Sequence, residues 1–242
     1  MRIITRWFIG SAIGIFLAFA QSQDVWRDID GRVVDDTGVG VADAMVVASG
    51  SGFRGWAAVK EDGSFHLRTA GLFLSIRHSG SKAVLLRTAD LTQPVRIILD
   101  QASESTRKMP PCDSNRQIGG ALRIDPGRHR HKGPVNGEHD FHWYVSIDNS
   151  TLHIVDGYAW HAGLPLEEWL SGSESISVAS WEFENIVGLD LSGRTRDGKR
   201  WRWLGAPIAD AIEYHEATPE AADVFDGIMK SACFGSDTFL KK

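Results

Sequence analysis

Six of the nine histidines fall between His129 and His161, and the closely spaced ones are the side chains best suited to chemistry. His129 and His131 are two apart, His139 and His142 are three apart, and Glu138 and Asp140 flank the second pair. Neutral imidazoles beside carboxylates are the donors that gather round Zn²⁺ or Cu²⁺. On a strand, positions 129 and 131 share a face, whereas 139 and 142 meet only if a loop folds them together. His129, His131, His139 and His142 are therefore the candidate ligands for Zn or Cu. The plainer alternative makes them polar loop and surface residues and calls for no cofactor. A metalloprotease helix is excluded, because His215-Glu216 runs into Ala217-Thr218-Pro219 with no second histidine.

Tryptophan is the second concentration. Trp143, Trp160, Trp169, Trp181, Trp201 and Trp203 all lie in the trailing half. Open aromatic faces stack on sugar rings or anchor a protein partner. Lys199-Arg200-Trp201-Arg202-Trp203 would set both tryptophans on one strand face and both arginines on the other. Trp201, Trp203 and Trp143 are thus candidate carbohydrate or partner contacts. The competing expectation, favoured for most of the six, is that they fill a core, since large aromatics are mostly buried.

Other chemistry finds less support. Gly50-Ser51-Gly52-Phe53-Arg54-Gly55 fits the spacing of a dinucleotide loop, but the five residues that follow are too few to open the required helix. No Gly-x-Ser-x-Gly nucleophile elbow occurs. Glu167-Glu168 and the pair Glu182/Glu184 read as solvated acids rather than a glycosidase couple. Asn149-Ser150-Thr151 is a glycosylation sequon that matters only in a eukaryotic secretory host. No catalytic residue is assigned, and a non-enzymatic role is preferred.

The elements that must position these residues are mostly strands. In the leading half, short runs rich in Val, Ile, Leu and Phe occur at 29–34, 44–49, 56–60, 64–68, 72–78, 82–88 and 95–100, each bounded by turn residues. Phe65 and Leu67 alternate with Ser64, His66 and Arg68. Leu72, Leu74 and Ile76 alternate with Ser75 and Arg77, the period of a strand with one wet face. Asp62-Gly63 supplies a tight hairpin turn between two of the runs.

Three stretches follow in a familiar order: Gly31-Arg32-Val33-Val34-Asp35-Asp36-Thr37-Gly38, then Ala44-Met45-Val46-Val47, then Glu61-Asp62-Gly63-Ser64-Phe65-His66-Leu67. Residues 28–100 resemble the carboxypeptidase regulatory-like domain, a transthyretin-like β-sandwich. That resemblance implies a seven-stranded, non-catalytic accessory module of secreted proteins.

The trailing half resembles nothing familiar. After a stretch at 116–138 that reads as poorly structured, strands are expected at 141–147, 152–155, 176–180, 186–191 and 199–204, with a second Asp-Gly hairpin at Asp197-Gly198. A short helix is expected at 164–170. A longer one at 219–232 has Thr218 as cap, Pro219 in its first turn and an apolar stripe of Ala221, Val224, Phe225, Ile228 and Met229. The expected fold is therefore mainly β: the sandwich over 28–100, a linker over 101–111 ending in Pro110-Pro111, then a β-rich α+β domain over 112–234 with a C-terminal helix. Residues 235–242 are expected to be a loose tail.

The ends and the charge bound the setting. Arg2 and Arg6 lead into an uncharged apolar stretch, 7–20, closed by Ala18-Phe19-Ala20. That is the pattern of a secretory signal peptide, and it is short of the ~20 residues a membrane span needs. Secretion or periplasmic export is expected, with an uncleaved N-terminal anchor as the alternative. Loss of residues 1–20 removes two arginines and no acid, taking the formal charge from −5 to −7. An acidic surface argues against nucleic acid as a partner and leaves an envelope protein or glycan. An exported chain with two cysteines is expected to bond them, here Cys112 to Cys233.

Overall fold

The computed structural model describes residues 26–49, 55–100, 106–113, 116–137, 140–157, 163–184, 186–205 and 210–235. The expected signal peptide, the tail beyond 235, Gly50–Arg54 of the glycine loop and His139 lie outside the described residues. The chain is mainly β, with several sheets and a C-terminal helix. Among the described residues no helix is long and apolar enough to cross a membrane.

The leading half makes two sheets. β1 (Arg27–Val34) pairs antiparallel with β4 (Ser64–Thr69) and parallel with β7 (Val95–Ile98). The other sheet runs β3 (Trp56–Ala58), β2 (Met45–Ser49), β5 (Phe73–Arg77), β6 (Val84–Arg87), with every neighbour antiparallel. Ile29, Val33, Val46, Phe65, Leu67, Leu74, Ile76 and Ile97 form one buried cluster between them. On β4 the alternation holds: Phe65 and Leu67 are buried, His66 and Arg68 exposed. Gly63 closes the hairpin before it with φ +84°. A Cβ there would lie 2.5 Å from the Val33 carbonyl oxygen, so the turn needs glycine twice over.

The alternation fails on β5, where all five residues are buried. Leu74 and Ile76 face the aliphatic cluster as expected. Phe73, Ser75 and Arg77 face the other way and are covered too, because that side of the sheet meets the trailing half. Leu72, expected to point inward, is 49% exposed just before the strand begins.

The trailing half is built on eight strands. In chain order they are β8 (Arg107–Lys108), β11 (His131–Asn136), β12 (Asp140–Ile147), β13 (Ser150–Gly157), β14 (Ser173–Phe183), β15 (Ile186–Thr195), β16 (Arg200–Gly205) and β17 (Ala211–Ala217). Across the sheet they run β11-β12-β13-β17-β16-β15-β14-β8. Of the stretch expected as a linker, Arg107 and Lys108 thus form an edge strand, parallel to β14. Helix α1 (Gly163–Gly172) lies between β13 and β14 in sequence, and α2 (Pro219–Met229) follows β17. A small sheet, β18 (Cys233–Phe234), β10 (Leu122–Ile124) and β9 (Ile118–Gly119), completes the layer.

Each face of the large sheet has its own cover. On one face Val145, Leu152, Ile154, Trp181, Leu204, Ile212 and Tyr214 pack against α2 and the small sheet. Helix α2 buries Ala221, Ala222, Phe225, Ile228 and Met229, and Thr218 caps it by accepting from the Ala221 amide at 3.3 Å. Arg202 donates twice to Asp190 (2.8 and 2.6 Å) and once to Asp226 of α2 (3.0 Å), while Arg200 and the Tyr214 hydroxyl also donate to Asp226. The helix is therefore tied down by charge as well as by its apolar stripe. The Cys112–Cys233 disulfide joins residues 121 apart and anchors the end of this layer, with Cα atoms 5.1 Å apart.

On the other face, Leu189, Leu191, Trp201 and Trp203 meet Phe73 and Ala83 of the leading half and Leu170 of α1 in a shared cluster. Beside it the Gly80 amide donates to Glu182 at 2.6 Å, and Lys108 pairs with the same carboxylate. Glu182, expected as a solvated acid, is 3% exposed for this reason. It is a seam residue.

Candidate functional site

One line of cross-strand partners spans the face of the large sheet that the leading half covers only in part. Register pairs Tyr144 with His153, His153 with Glu213, Glu213 with Trp203, Trp203 with Leu191 and Leu191 with Val178. Partners in a ladder project to the same side. Trp203, Leu191 and Val178 pack in the seam cluster with the leading half, while Tyr144, His153 and Glu213 belong to no apolar cluster and lie beyond it. The boundary between apolar and polar therefore falls between β16 and β17.

His142, two residues before Tyr144 on β12, shares that face, and with Asp140 it extends the polar part into a row of four side chains, Asp140, His142, His153 and Glu213, with Tyr144 stacked on it. Its Nε2 lies 2.8 Å from Asp140 Oδ1, and its Nδ1 lies 2.8 Å from Nε2 of His153. Nδ1 of His153 lies 3.3 Å from Glu213 Oε1. The two imidazoles are nearly coplanar, 13° apart, and meet through these nitrogens. Tyr144 stacks on His153 at 4.8 Å and 3° and fixes its plane. The His142 and His153 side chains are 21% and 26% exposed, against 8% for Glu213. The row thus runs from water-accessible rings to a buried carboxylate.

Counting protons shows what the row lacks. It makes three contacts, and each needs one hydrogen. Two carboxylates and two neutral imidazoles bring two N–H groups. If each ring gives its proton to its own carboxylate, the Nδ1 of His142 and the Nε2 of His153 face each other as two lone pairs. The centre needs one more proton or another cation in its place. At the inner end, Glu213 Oε2 and Trp203 Nε1 are both buried without a hydrogen-bond partner among the described residues, although the two residues are ladder neighbours. An orphaned acceptor beside an orphaned donor marks a place for a water or a ligand polar group.

Of the histidines singled out by spacing, His142 lies in the row. His129 is exposed in a turn, its amide donating to the Pro126 carbonyl. His131 opens β11 opposite Val145, which puts it on the other face from His142. Among the described residues, no three His, Cys, Asp or Glu side chains converge on a point that a metal ion could fill. Trp201 and Trp203 do share a face, with Arg200 and Arg202 on the other, but they are 1% and 9% exposed inside the seam and offer no open ring. Trp143 is half-buried on the opposite face, against the α2-side core.

A second titratable pair lies on that α2-side face. Asp210, just before β17, is 2% exposed and accepts from the Leu122 amide at 3.0 Å. Burial first, then the neighbouring Asp156, push its carboxyl up to about 7. No known family model, curated protein or solved structure matches this chain.

Proposed function

We propose that this chain is an exported, non-catalytic binding protein of the cell envelope or extracellular space. In this reading the leading half is an accessory sandwich of the carboxypeptidase regulatory-like kind. Sheets of three and four strands round one aliphatic cluster support that likeness. Its four-stranded sheet serves as a cover, burying Phe73 and Ala83 over the apolar end of the large sheet. Recognition is left to the other end. The single observation that carries the reading is the partly exposed row Asp140–His142–His153–Glu213 with Tyr144, polar side chains held in fixed register where the cover stops. Three paired strands hold them, which is the support a preorganised contact surface needs.

The test places a photo-crosslinking phenylalanine analogue at position 144 of the full chain in its native host, with position 220 on the far side of the molecule as control. Adducts formed from 144 and absent from 220 are expected. No adduct at 144, or the same adducts from both positions, would refute the reading. N-terminal sequencing of the same material is expected to begin after Ala20.

A further inference from the structure

We propose that His142 and His153 together bind one late first-row transition-metal cation, copper or zinc. The proposal rests on reading the partly covered sheet face as the recognition surface, and it specifies what that surface takes. Three observations lead to it.

The first is the arrangement of the outer contacts. Asp140 holds the Nε2 side of His142, and Glu213 holds the Nδ1 side of His153. A carboxylate on the far nitrogen is how proteins fix the tautomer of a metal-binding imidazole and raise its basicity. Here both rings have that support, on two different strands.

The second is the central gap. With the outer nitrogens protonated toward their carboxylates, the inner ones present lone pairs to each other at 2.8 Å. That contact repels unless a third proton bridges the two nitrogens or a metal cation takes that proton's place. A tetrahedral ion with metal–nitrogen bonds of about 2.0–2.1 Å spans two nitrogens about 3.3 Å apart. Parting the rings by roughly half an ångström is enough for this geometry. Tyr144 stacks squarely on His153 but lies 6.3 Å from His142, so His142 is the ring that must tilt.

The third is the donor set and its access. Imidazole selects copper and zinc over the oxygen-seeking calcium and magnesium. Two protein nitrogens leave coordination positions for water or for a donor on a partner, and both rings are partly open to solvent. A two-ligand site of this kind recognises its partner through the ion.

The experiment uses the full chain with its disulfide intact, stripped by chelation and titrated near neutral pH with Zn²⁺, Cu²⁺ and, as control, Ca²⁺. One equivalent of zinc or copper and no calcium is expected. H142Q and H153Q should each weaken binding by at least ~100-fold, D140N by about 10- to 100-fold, and H129Q not at all. In the unmodified protein, imidazole ¹⁵N shifts on titration should be confined to the two rings, a readout that needs no variant. Absence of saturable binding, survival of binding in H142Q or H153Q, or equal loss in H129Q would overturn the site. If metal does not bind but crosslinks at position 144 persist, the metal site fails and the binding role stands. If metal binds and no crosslinks form, the reverse holds.

Discussion

At the scale of single residues, two buried charges make opposite demands on the fold. Asp210 keeps its proton up to about 7 in the folded chain, against an ordinary 3.8, because burial and then Asp156 disfavour its ionised form. A carboxyl raised on folding contributes stability that is complete below about pH 4 and is lost as pH rises through 7. Denaturant unfolding should therefore show the wild-type protein losing stability between about pH 4 and 7. D210N should show a shallower fall, and equal slopes would contradict the assignment. Arg77 is the other case. It is 5% exposed, its Nε and Nη1 have no hydrogen-bond partner among the described residues, and burial lowers its pKa to about 10. A buried ion without a counterion is a cost that an apolar side chain of similar length avoids. R77M should raise the melting temperature. A fall of several degrees would show that the guanidinium contributes more than its desolvation costs.

At the scale of elements, α2 and its charges were the most legible part of the chain. Thr218, Pro219 and the apolar stripe announced the helix, and the cap forms as expected. The counter-charges from the strand below it were not visible, since Arg200 and Arg202 meet Asp226 only once β16 lies under α2. D226A leaves Arg202 with Asp190 alone and the Tyr214 hydroxyl unpaired, and should cost about 3 kcal/mol in equilibrium unfolding. T218A should cost about 1 kcal/mol. If D226A cost no more than T218A, the network would be ornamental. The row of imidazoles was half legible for a related reason. His142 stood out by its spacing, but His153 and Glu213 are 60 residues apart and meet only through the β13–β17 ladder. Strand β17 itself, Ala-Ile-Glu-Tyr-His-Glu-Ala, is rich in helix formers, and its strand state is fixed by pairing on both sides. Strand β11 was obscured by Gly133-Pro134, which an edge strand with a register shift tolerates.

At the scale of the whole molecule, the two halves are joined by a seam that periodicity could not reveal. A strand with one face on a core and one on a neighbour looks, in sequence, like any half-wet strand, and β5 shows the consequence. Phe73 is part of the shared cluster, so F73A should cost about 3 kcal/mol and expose the far face of the four-stranded sheet to hydrogen exchange. Unchanged stability would mean that the seam carries little of the fold's energy. Because the seam covers only one end of the large sheet, everything proposed about recognition depends on the other end holding its four side chains in line. The most direct measurement is a long-range ¹H–¹⁵N spectrum of the histidine rings in the full, metal-free chain. His142 should carry its proton on Nε2 and His153 on Nδ1, with slowly exchanging ring protons unlike those of exposed His129. If both rings instead showed the mixed tautomers and rapid exchange of a free surface histidine, the row would not exist in solution and the recognition surface would have to be sought elsewhere.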